Sequence, residues 1–192
     1  MTFCMAPFVH MVHNPDGQYR TCCMFDKPFD KKYNDIKDAF DSEENQKIRK
    51  RMLSGEKLPE CEKCDIDEAH GGKSWRSYRD QFNAQFDKKY IKNPVFKTLE
   101  VSLSNKCNFK CSYCGPSFSS SWAQEIEKHG PYPTTDLFNN FDWLKKSGRM
   151  PIHHKDYNPY VEAFWKWWPD LYRDLDTFRI TGGEPLLSKD TW

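Results

Sequence analysis

The pattern of apolar and polar positions predicts strands in four segments of the chain, and strict alternation is clearest in 98–103. The first two segments, 7–13 and 18–24, flank the tetrapeptide 14–17, whose proline and glycine suit a tight turn. The other two segments are 98–103 and 177–181, and helices are predicted between them. Because a strand, a helix and a second strand follow one another in this order, the pattern predicts a right-handed parallel βαβ unit.

Apolar residues at helical spacing predict two helices in the first half of the chain. A charged helix covers 42–54, and Gly55 follows it as a residue suited to end a helix. Its basic run, 47–51, is expected on a solvated helix face rather than in contact with RNA. The second helix covers 74–88, with three aromatic residues on its buried side, Tyr78, Phe82 and Phe86.

The second half of the chain predicts two further helices separated by a long loop. Ser119 to Ser121 can cap the start of a helix over 117–129. Residues 130–158 are rich in proline, glycine and asparagine and are predicted to form a loop. Asn158 can cap the next helix, which Pro169 should break or kink. One face of that helix is expected to pack in the core, and it carries Val161, Phe164, Trp165, Trp168, Leu171, Tyr172 and Leu175.

Composition and charge exclude several classes of protein. The chain has 192 residues, and 29 Lys and Arg against 28 Asp and Glu leave a net charge of +1, so no global field favours nucleic acid. The mean hydropathy is −0.90, and no stretch approaches the roughly 20 apolar residues of a membrane span. The start of the chain, MTFCMAPF, lacks the basic and apolar regions of a signal peptide. We therefore expect a cytoplasmic protein without membrane or nucleic-acid partners.

The eight cysteines of the chain are the strongest chemical signal in the sequence. The cytosol keeps thiols reduced, so closely spaced cysteines in such a protein indicate a metal more often than disulfides. One group lies in the first third of the chain and contains Cys4, Cys22, Cys23, Cys61 and Cys64. The other group is a single short loop directly after the third predicted strand, and it contains Cys107, Cys111 and Cys114.

The loop from Cys107 to Cys114 has the spacing C-x3-C-x2-C. A cubane iron–sulfur cluster has four irons and usually four thiolate ligands, so three thiolates leave one iron open for another ligand. The alternative is a zinc ion or a [4Fe-4S] cluster that a distant residue such as His129 completes. Both interpretations remain open at the level of spacing alone.

This loop resembles the cysteine motif of the radical S-adenosylmethionine (SAM) superfamily, including an aromatic residue, Tyr113, before the last cysteine. Gly182-Gly183-Glu184, at the end of the next strand, is similar to the GGE motif of the same superfamily. The resemblance implies that Cys107, Cys111 and Cys114 ligate a [4Fe-4S] cluster whose open iron chelates SAM. It also implies that Tyr113 lies near the adenine, that Gly182 and Gly183 approach the methionyl end, and that Glu184 lies near its ammonium.

The same resemblance implies a fold and a reaction. Residues 93–192 would form the first βα units of a partial (β/α)6 barrel, so we expect an incomplete, C-terminally truncated radical SAM core. It would be either an incomplete gene product or one half of a split protein whose barrel a separate chain completes. The cluster would take an electron from a reductant protein and cleave SAM to a 5′-deoxyadenosyl radical, which modifies a peptide or small molecule. No side chain of this chain is assigned as a catalytic acid or base.

The cysteines of the first third predict a second metal site. Cys4, Cys22 or Cys23, Cys61 and Cys64 can supply four thiolates to a structural zinc or a closed [4Fe-4S] cluster. Alternatively, Cys4 or the Cys22–Cys23 pair is simply buried. The spacing of these cysteines resembles the SPASM/twitch modules of radical SAM enzymes, which hold auxiliary clusters. This resemblance implies an auxiliary metal-binding α+β module over 1–92, and it favours Cys22 as the ligand.

Two other functions compete with a radical SAM enzyme. One is a non-catalytic zinc or iron–sulfur scaffold, in which Gly182-Gly183-Glu184 would be incidental. The other is an RNA-modifying radical SAM enzyme, which the sequence disfavours because it lacks basic patches. A group of polar and small residues after Cys64 fits either a turn into the next helix or a substrate contact, and it contains Glu68, Gly71, Gly72, Ser74 and Arg76.

Overall fold

The fold is known from a computed structural model that describes residues 3–78, 83, 86–135 and 137–192. The chain divides into two compact units, and each unit combines several segments of the sequence. One unit contains Met1–Val12, Tyr19–Leu99 and Trp167–Phe178. The other contains His13–Gln18, Glu100–Lys166 and Arg179–Trp192. The predicted domains 1–92 and 93–192 stay a prediction.

A mixed four-stranded sheet of order β2-β1-β3-β4 makes the protein an α/β structure, as the sequence predicts. The strands are β1 (His10–His13), β2 (Tyr19–Arg20), β3 (Thr98–Val101) and β4 (Thr177–Ile180). Each strand is shorter than the segment predicted for it. A complete barrel is not seen in this sheet, and the (β/α)6 barrel stays an expectation from resemblance.

Strands β3 and β4 are parallel, as the predicted βαβ unit requires. The amide of Thr177 donates to the carbonyl of Lys97 over 3.1 Å, and the amide of Thr181 donates to the carbonyl of Val101 over 2.7 Å. Both partners advance by four residues in the same direction, which is the register of a parallel pair. The parallel pairing of the predicted βαβ unit is therefore confirmed, whereas its right-handed crossover stays a prediction. Strand β4 is the outermost described strand on its side of the sheet.

Strand β1 pairs with β3 as well as with its hairpin partner β2, which the sequence does not predict. The amide of Lys97 donates to the carbonyl of Val9 over 2.9 Å, and the amide of Ser102 donates to the carbonyl of His13 over 2.8 Å. The pair is again parallel. Because this pairing joins residues far apart in the chain, no local pattern marks it.

The start of the predicted first strand is helical instead. Helix α1 covers Ala6–Val9, with a proline at its first turn and all four residues buried. A proline at that position has a φ suited to a helix and lacks only an N–H that would have no intrahelical partner. The predicted strand over 7–13 is therefore wrong for residues 7–9.

Five helices lie between the hairpin and β3, namely α2 (Ile36–Asp41), α3 (Glu43–Leu53), α4 (Glu62–Ala69), α5 (Trp75–Tyr78) and α6 (Lys89–Lys92), among the described residues. Helix α3 confirms the prediction over 42–54. The side chain of Ser42 accepts from the amide of Asn45, and Gly55 follows the helix with a φ of +76°. Helix α2 is missed because six residues are too few to show a clear period.

Two other predictions in this part of the chain need correction. Residues 86–88 are not helical, so the predicted helix over 74–88 is too long, and Phe82 and the side chain of Tyr78 lie outside the described residues. In the basic run of α3, Arg49 is buried rather than solvated. Its guanidinium donates to the carbonyl of Pro7 over 2.8 Å and lies 4.4 Å from the ring centre of Phe40. The apolar stem and flat guanidinium of arginine make such burial affordable.

The second half of the described chain contains α7 (Ser120–His129), α8 (Phe141–Lys146) and α9 (Pro159–Leu171). The side chain of Ser119 caps α7, as predicted, and Asn158 accepts from the first amides of α9. Helix α8 lies inside the segment 130–158, so the prediction of a continuous loop is wrong there. Pro169 does not break α9, which continues to Leu171. Proline has no N–H to donate, but so close to the end of the helix only one hydrogen bond of the last turn is lost.

Aromatic side chains supply part of the core. The rings of Phe40 and Phe96 lie 4.1 Å apart, and Trp167 packs edge-on against Phe96 at 5.3 Å. On α9, Val161, Phe164 and Leu171 are buried, whereas Tyr172 at its end is 47% exposed. Among the described helices, none is both long and apolar enough to cross a membrane.

Candidate functional site

The cysteine loop begins directly after β3 and is held by the first turn of α7. The amide of Cys107 donates to Oγ of Ser120 over 3.0 Å, and the hydroxyl of Ser121 donates to the carbonyl of Cys107 over 2.8 Å. Both polar groups of the Cys107 backbone are thus bound by hydroxyls of one helix start. This contact fixes the backbone from which the first thiol projects.

Ser119 and Trp122 bind the middle of the same loop. The hydroxyl of Ser119 donates to the carbonyl of Phe109 over 2.7 Å and accepts from the amide of Trp122 over 3.2 Å. The indole Nε1 of Trp122 donates to the carbonyl of Cys111 over 3.0 Å. The sequence indicates serines only as caps. Their second role appears once the loop folds back onto the helix that follows it.

The three thiols of the loop are close enough to influence one another. A turn brings the last two together, because the amide of Cys114 donates to the carbonyl of Cys111 over 3.0 Å. Burial raises the pKa of the Cys114 thiol, and negative charge on Cys107 and Cys111 raises it further. A cysteine binds a metal as its thiolate. Metal binding at this loop would therefore release the thiol protons, and the positive charge of the metal would offset the raised pKa.

The loop after β4 packs on the start of the cysteine loop. Gly182 and Gly183 have φ values of +77° and +50°. A Cβ on Gly183 would lie 2.4 Å from the carbonyl oxygen of Lys106, and a Cβ on Gly182 would lie 2.5 Å from Cβ of Ser102. The amide of Glu184 also donates to the carbonyl of Lys106 over 2.8 Å. Both positions therefore require glycine for a reason within the protein, in addition to the approach to SAM that the resemblance implies.

The cysteine loop and the Gly-Gly-Glu loop line one cavity of about 760 Å³. Tyr113 stands at this cavity and is 91% exposed, so its ring is free of packing against the protein. The described lining includes no histidine and no fourth cysteine, and His129 lies elsewhere, in the last turn of α7. The cavity is lined by Cys107, Phe109, Cys111, Tyr113, Cys114, Gly115, Ser117, Phe118, Phe138, Thr181, Gly182, Gly183 and Glu184.

Four cysteines of the first third meet at a second, small cavity of about 30 Å³. Cys4, Cys22, Cys61 and Cys64 line it together with apolar residues and Arg76, whereas Cys23 lines a different cavity. Burial raises the pKa of the Cys4 thiol to about 11 and that of the Cys61 thiol to about 12. Negative charge on Cys64 contributes to the rise of both pKa values, which indicates that these thiols are neighbours.

Both sets of thiols fit the chemistry of metal–thiolate sites, although they are arranged differently. In the part of the chain that the structure describes, no three His, Cys, Asp or Glu side chains are arranged to hold a single metal ion. The ligands of a four-iron cluster bind different irons, so they do not need to converge on one point. The open cavity has three thiols and the small cavity has four.

A similarity to a curated protein covers about half of the chain. The chain matches no protein-family profile, and no solved structure matches it. Over 92 residues, 48% of this chain, it is 29% identical to the GTP 3′,8-cyclase of Aliarcobacter butzleri (strain RM4018). The match spans only 20% of the length of that protein. The relative is a radical SAM enzyme, and the similarity indicates that superfamily and nothing narrower.

Proposed function

We propose that this protein is a radical SAM iron–sulfur enzyme that binds its cluster through Cys107, Cys111 and Cys114. The observation that carries the proposal is the shared cavity, in which these thiols and Gly182-Gly183-Glu184 meet although they come from two βα loops. Its volume of about 760 Å³ lies within the roughly 300–1,000 Å³ of small-molecule sites. A nucleoside-sized ligand bound beside a cluster would fit these dimensions.

Each part of the cavity has a role in this proposal. The serines that open α7 hold the cysteine loop in one conformation, so the three thiolates are positioned before the cluster binds. Three thiolates leave one iron open, and the absence of a fourth cysteine or histidine from the described lining keeps that position for SAM. The carboxylate of Glu184 supplies negative charge near the ammonium of SAM. The exposed ring of Tyr113 can stack on adenine.

A reduced cluster held by Cys107, Cys111 and Cys114 would supply the electron for reductive cleavage of the C5′–S bond of SAM, to methionine and a 5′-deoxyadenosyl radical. A reductant protein would deliver the electron. The radical would then abstract a hydrogen atom from a peptide or small-molecule substrate. The relative is named for an action on GTP, but the proposal for this chain stays with that broader substrate class.

Anaerobic reconstitution with iron and sulfide tests this proposal against a non-catalytic scaffold. We expect a brown protein that contains iron and acid-labile sulfide, and we expect SAM to change the EPR signal of the reduced cluster because it binds the open iron. Assays of 5′-deoxyadenosine measure cleavage separately. A colourless protein that takes up zinc in preference to iron would contradict the proposal and favour the zinc scaffold.

We propose further that Cys4, Cys22, Cys61 and Cys64 form an auxiliary metal site of the SPASM/twitch kind within residues 1–92. Support comes from the one cavity that all four thiols line and from the donor type, because four thiolates can hold zinc or a closed [4Fe-4S] cluster. Among the described residues, these four do not surround a single ion, so their arrangement favours the cluster, whose ligands bind different irons. Four ligands would close the metal centre, so this site would not bind SAM.

Separate replacement of Cys22 and Cys23 with alanine should show which of the two cysteines is a metal ligand. We expect Cys22→Ala to remove the metal of the N-terminal site and Cys23→Ala to retain it, because only Cys22 lines the cavity with the other three thiols. Metal content per chain, measured by mass spectrometry of the reconstituted protein, reports the difference. Loss of metal in Cys23→Ala with retention in Cys22→Ala would reverse the assignment.

A further inference from the structure

A buried ionic network stands beside the four thiols of the small cavity. Arg76, on α5, lines this cavity, and its side chain is only 4% exposed. A buried guanidinium is costly unless it is paired, so its position needs a compensating interaction. The four thiols do not supply negative charge until they are ionised. The charge of the buried guanidinium must therefore be compensated by other neighbours of Arg76.

Two carboxylates of α4 bind the guanidinium. Nε and Nη2 of Arg76 donate to the two oxygens of Glu68 over 3.0 and 2.7 Å, which is a bidentate contact. Nη2 also donates to Oδ1 of Asp65 over 2.8 Å. The same helix carries Cys64, which immediately precedes Asp65. Arg76 is thus tied to the element that presents one of the thiols.

The position of Glu68 is itself fixed by a buried serine. The hydroxyl of Ser74 donates to Oε1 of Glu68 over 2.6 Å, and Ser74 is fully buried. The amide of Ser77 in turn donates to the hydroxyl of Ser74 over 3.0 Å. Glu68 therefore holds Arg76 in one orientation against the cavity. A network of this kind is more than a flexible surface ion pair.

We propose that Arg76 is a positioning residue that turns the positive end of its ion-pair network towards the anionic metal–thiolate centre of Cys4, Cys22, Cys61 and Cys64. The positive end faces this centre because Arg76 lines the cavity whereas Glu68 and Asp65 do not. The inference rests on the proposed auxiliary site. Zinc or a [4Fe-4S] cluster bound by four thiolates carries a net negative charge, which a neighbouring cation stabilises. In a cluster, that cation also favours the reduced form, because reduction adds another negative charge.

The experiment compares Arg76→Met with Arg76→Lys in the full chain, in a background that carries Cys107→Ala, Cys111→Ala and Cys114→Ala. In this background the N-terminal site alone holds metal. Methionine removes the charge and keeps much of the side-chain volume, whereas lysine keeps the charge and loses the bidentate contact. Arg51→Met is the matched control, because Arg51 pairs with Glu56 and Glu60 but does not line the cavity.

We expect Arg76→Met to lose its metal to a chelator at least tenfold faster than the background protein, with Arg76→Lys intermediate and Arg51→Met unchanged. If the metal is a cluster, its midpoint potential should fall in Arg76→Met by about 59 mV, which corresponds to a tenfold change for one electron. Arg76→Lys should shift the potential less because the charge remains. If Arg76 had a purely structural role, the midpoint potentials of the two variants would not follow the charge of residue 76.

The experiment distinguishes an error about Arg76 from an error about the auxiliary metal site. If the background protein holds no metal at all, the site itself is wrong and the role of Arg76 falls with it. If it holds metal and Arg76→Met releases it as slowly as Arg51→Met, only the inference about Arg76 is overturned. Thermal unfolding of Arg76→Met in a chain with all four N-terminal cysteines replaced by serine measures its effect on folding alone. An equal loss of stability with and without metal would also contradict the proposal.

Discussion

Replacement of any one of Cys107, Cys111 and Cys114 with alanine should abolish the central cluster. Each thiolate would hold a different iron, and the described lining of the cavity offers no other cysteine or histidine to replace a lost ligand. The expected result is therefore near-complete loss of the iron and sulfide of this site, rather than a graded decrease. SAM should then no longer change the EPR spectrum.

Metal retained at the N-terminal site serves as an internal control in the same samples. Cys23→Ala is the matched cysteine variant, because Cys23 belongs to neither proposed ligand set, and it should keep both sites. Iron and sulfide assays with EPR measure the outcome. Unchanged iron and sulfide in any one of the three central variants would contradict the assignment of that cysteine.

Gly183→Ala should destabilise the protein by about 3 kcal/mol, since left-handed strain and overpacking each cost on the order of 1–2 kcal/mol. The new Cβ would lie 2.4 Å from the carbonyl oxygen of Lys106, so backbone would have to move. Lys106 immediately precedes Cys107, and its carbonyl accepts the amide of Glu184. Movement there would disturb the cysteine loop, so we also expect a lower iron content.

Gly55→Ala separates the two causes of this effect. Gly55 also has a positive φ, +76°, but a Cβ there would meet nothing within 4 Å. The control should therefore cost only about 1 kcal/mol, the strain of the backbone conformation. Urea unfolding of both variants measures the difference. Equal destabilisation of the two proteins would mean that the contact with Lys106 is not important.

The sequence was most informative where local rules apply. Helix α3 begins at a serine cap and ends before a glycine of positive φ, and both features can be recognised within a few residues. The spacing of Cys107, Cys111 and Cys114, followed by a helix and by Gly182-Gly183-Glu184, identified the two loops as one candidate site. A parallel βαβ unit brings the loops after its two strands to the same edge of the sheet, so their meeting could be foreseen.

The tertiary structure decided what depends on contacts between distant residues. The pairing of β1 with β3, the burial of Arg49 and the ion pairs that hold Arg76 all join segments that no local pattern connects. The same holds for position 183, where the nearby carbonyl of Lys106 leaves no room for a side chain and glycine is required. The sequence by itself determined the candidate ligands and the order of the central elements, because those follow from residue type and spacing. The surroundings of each ligand depend on long-range packing, which only the folded chain specifies.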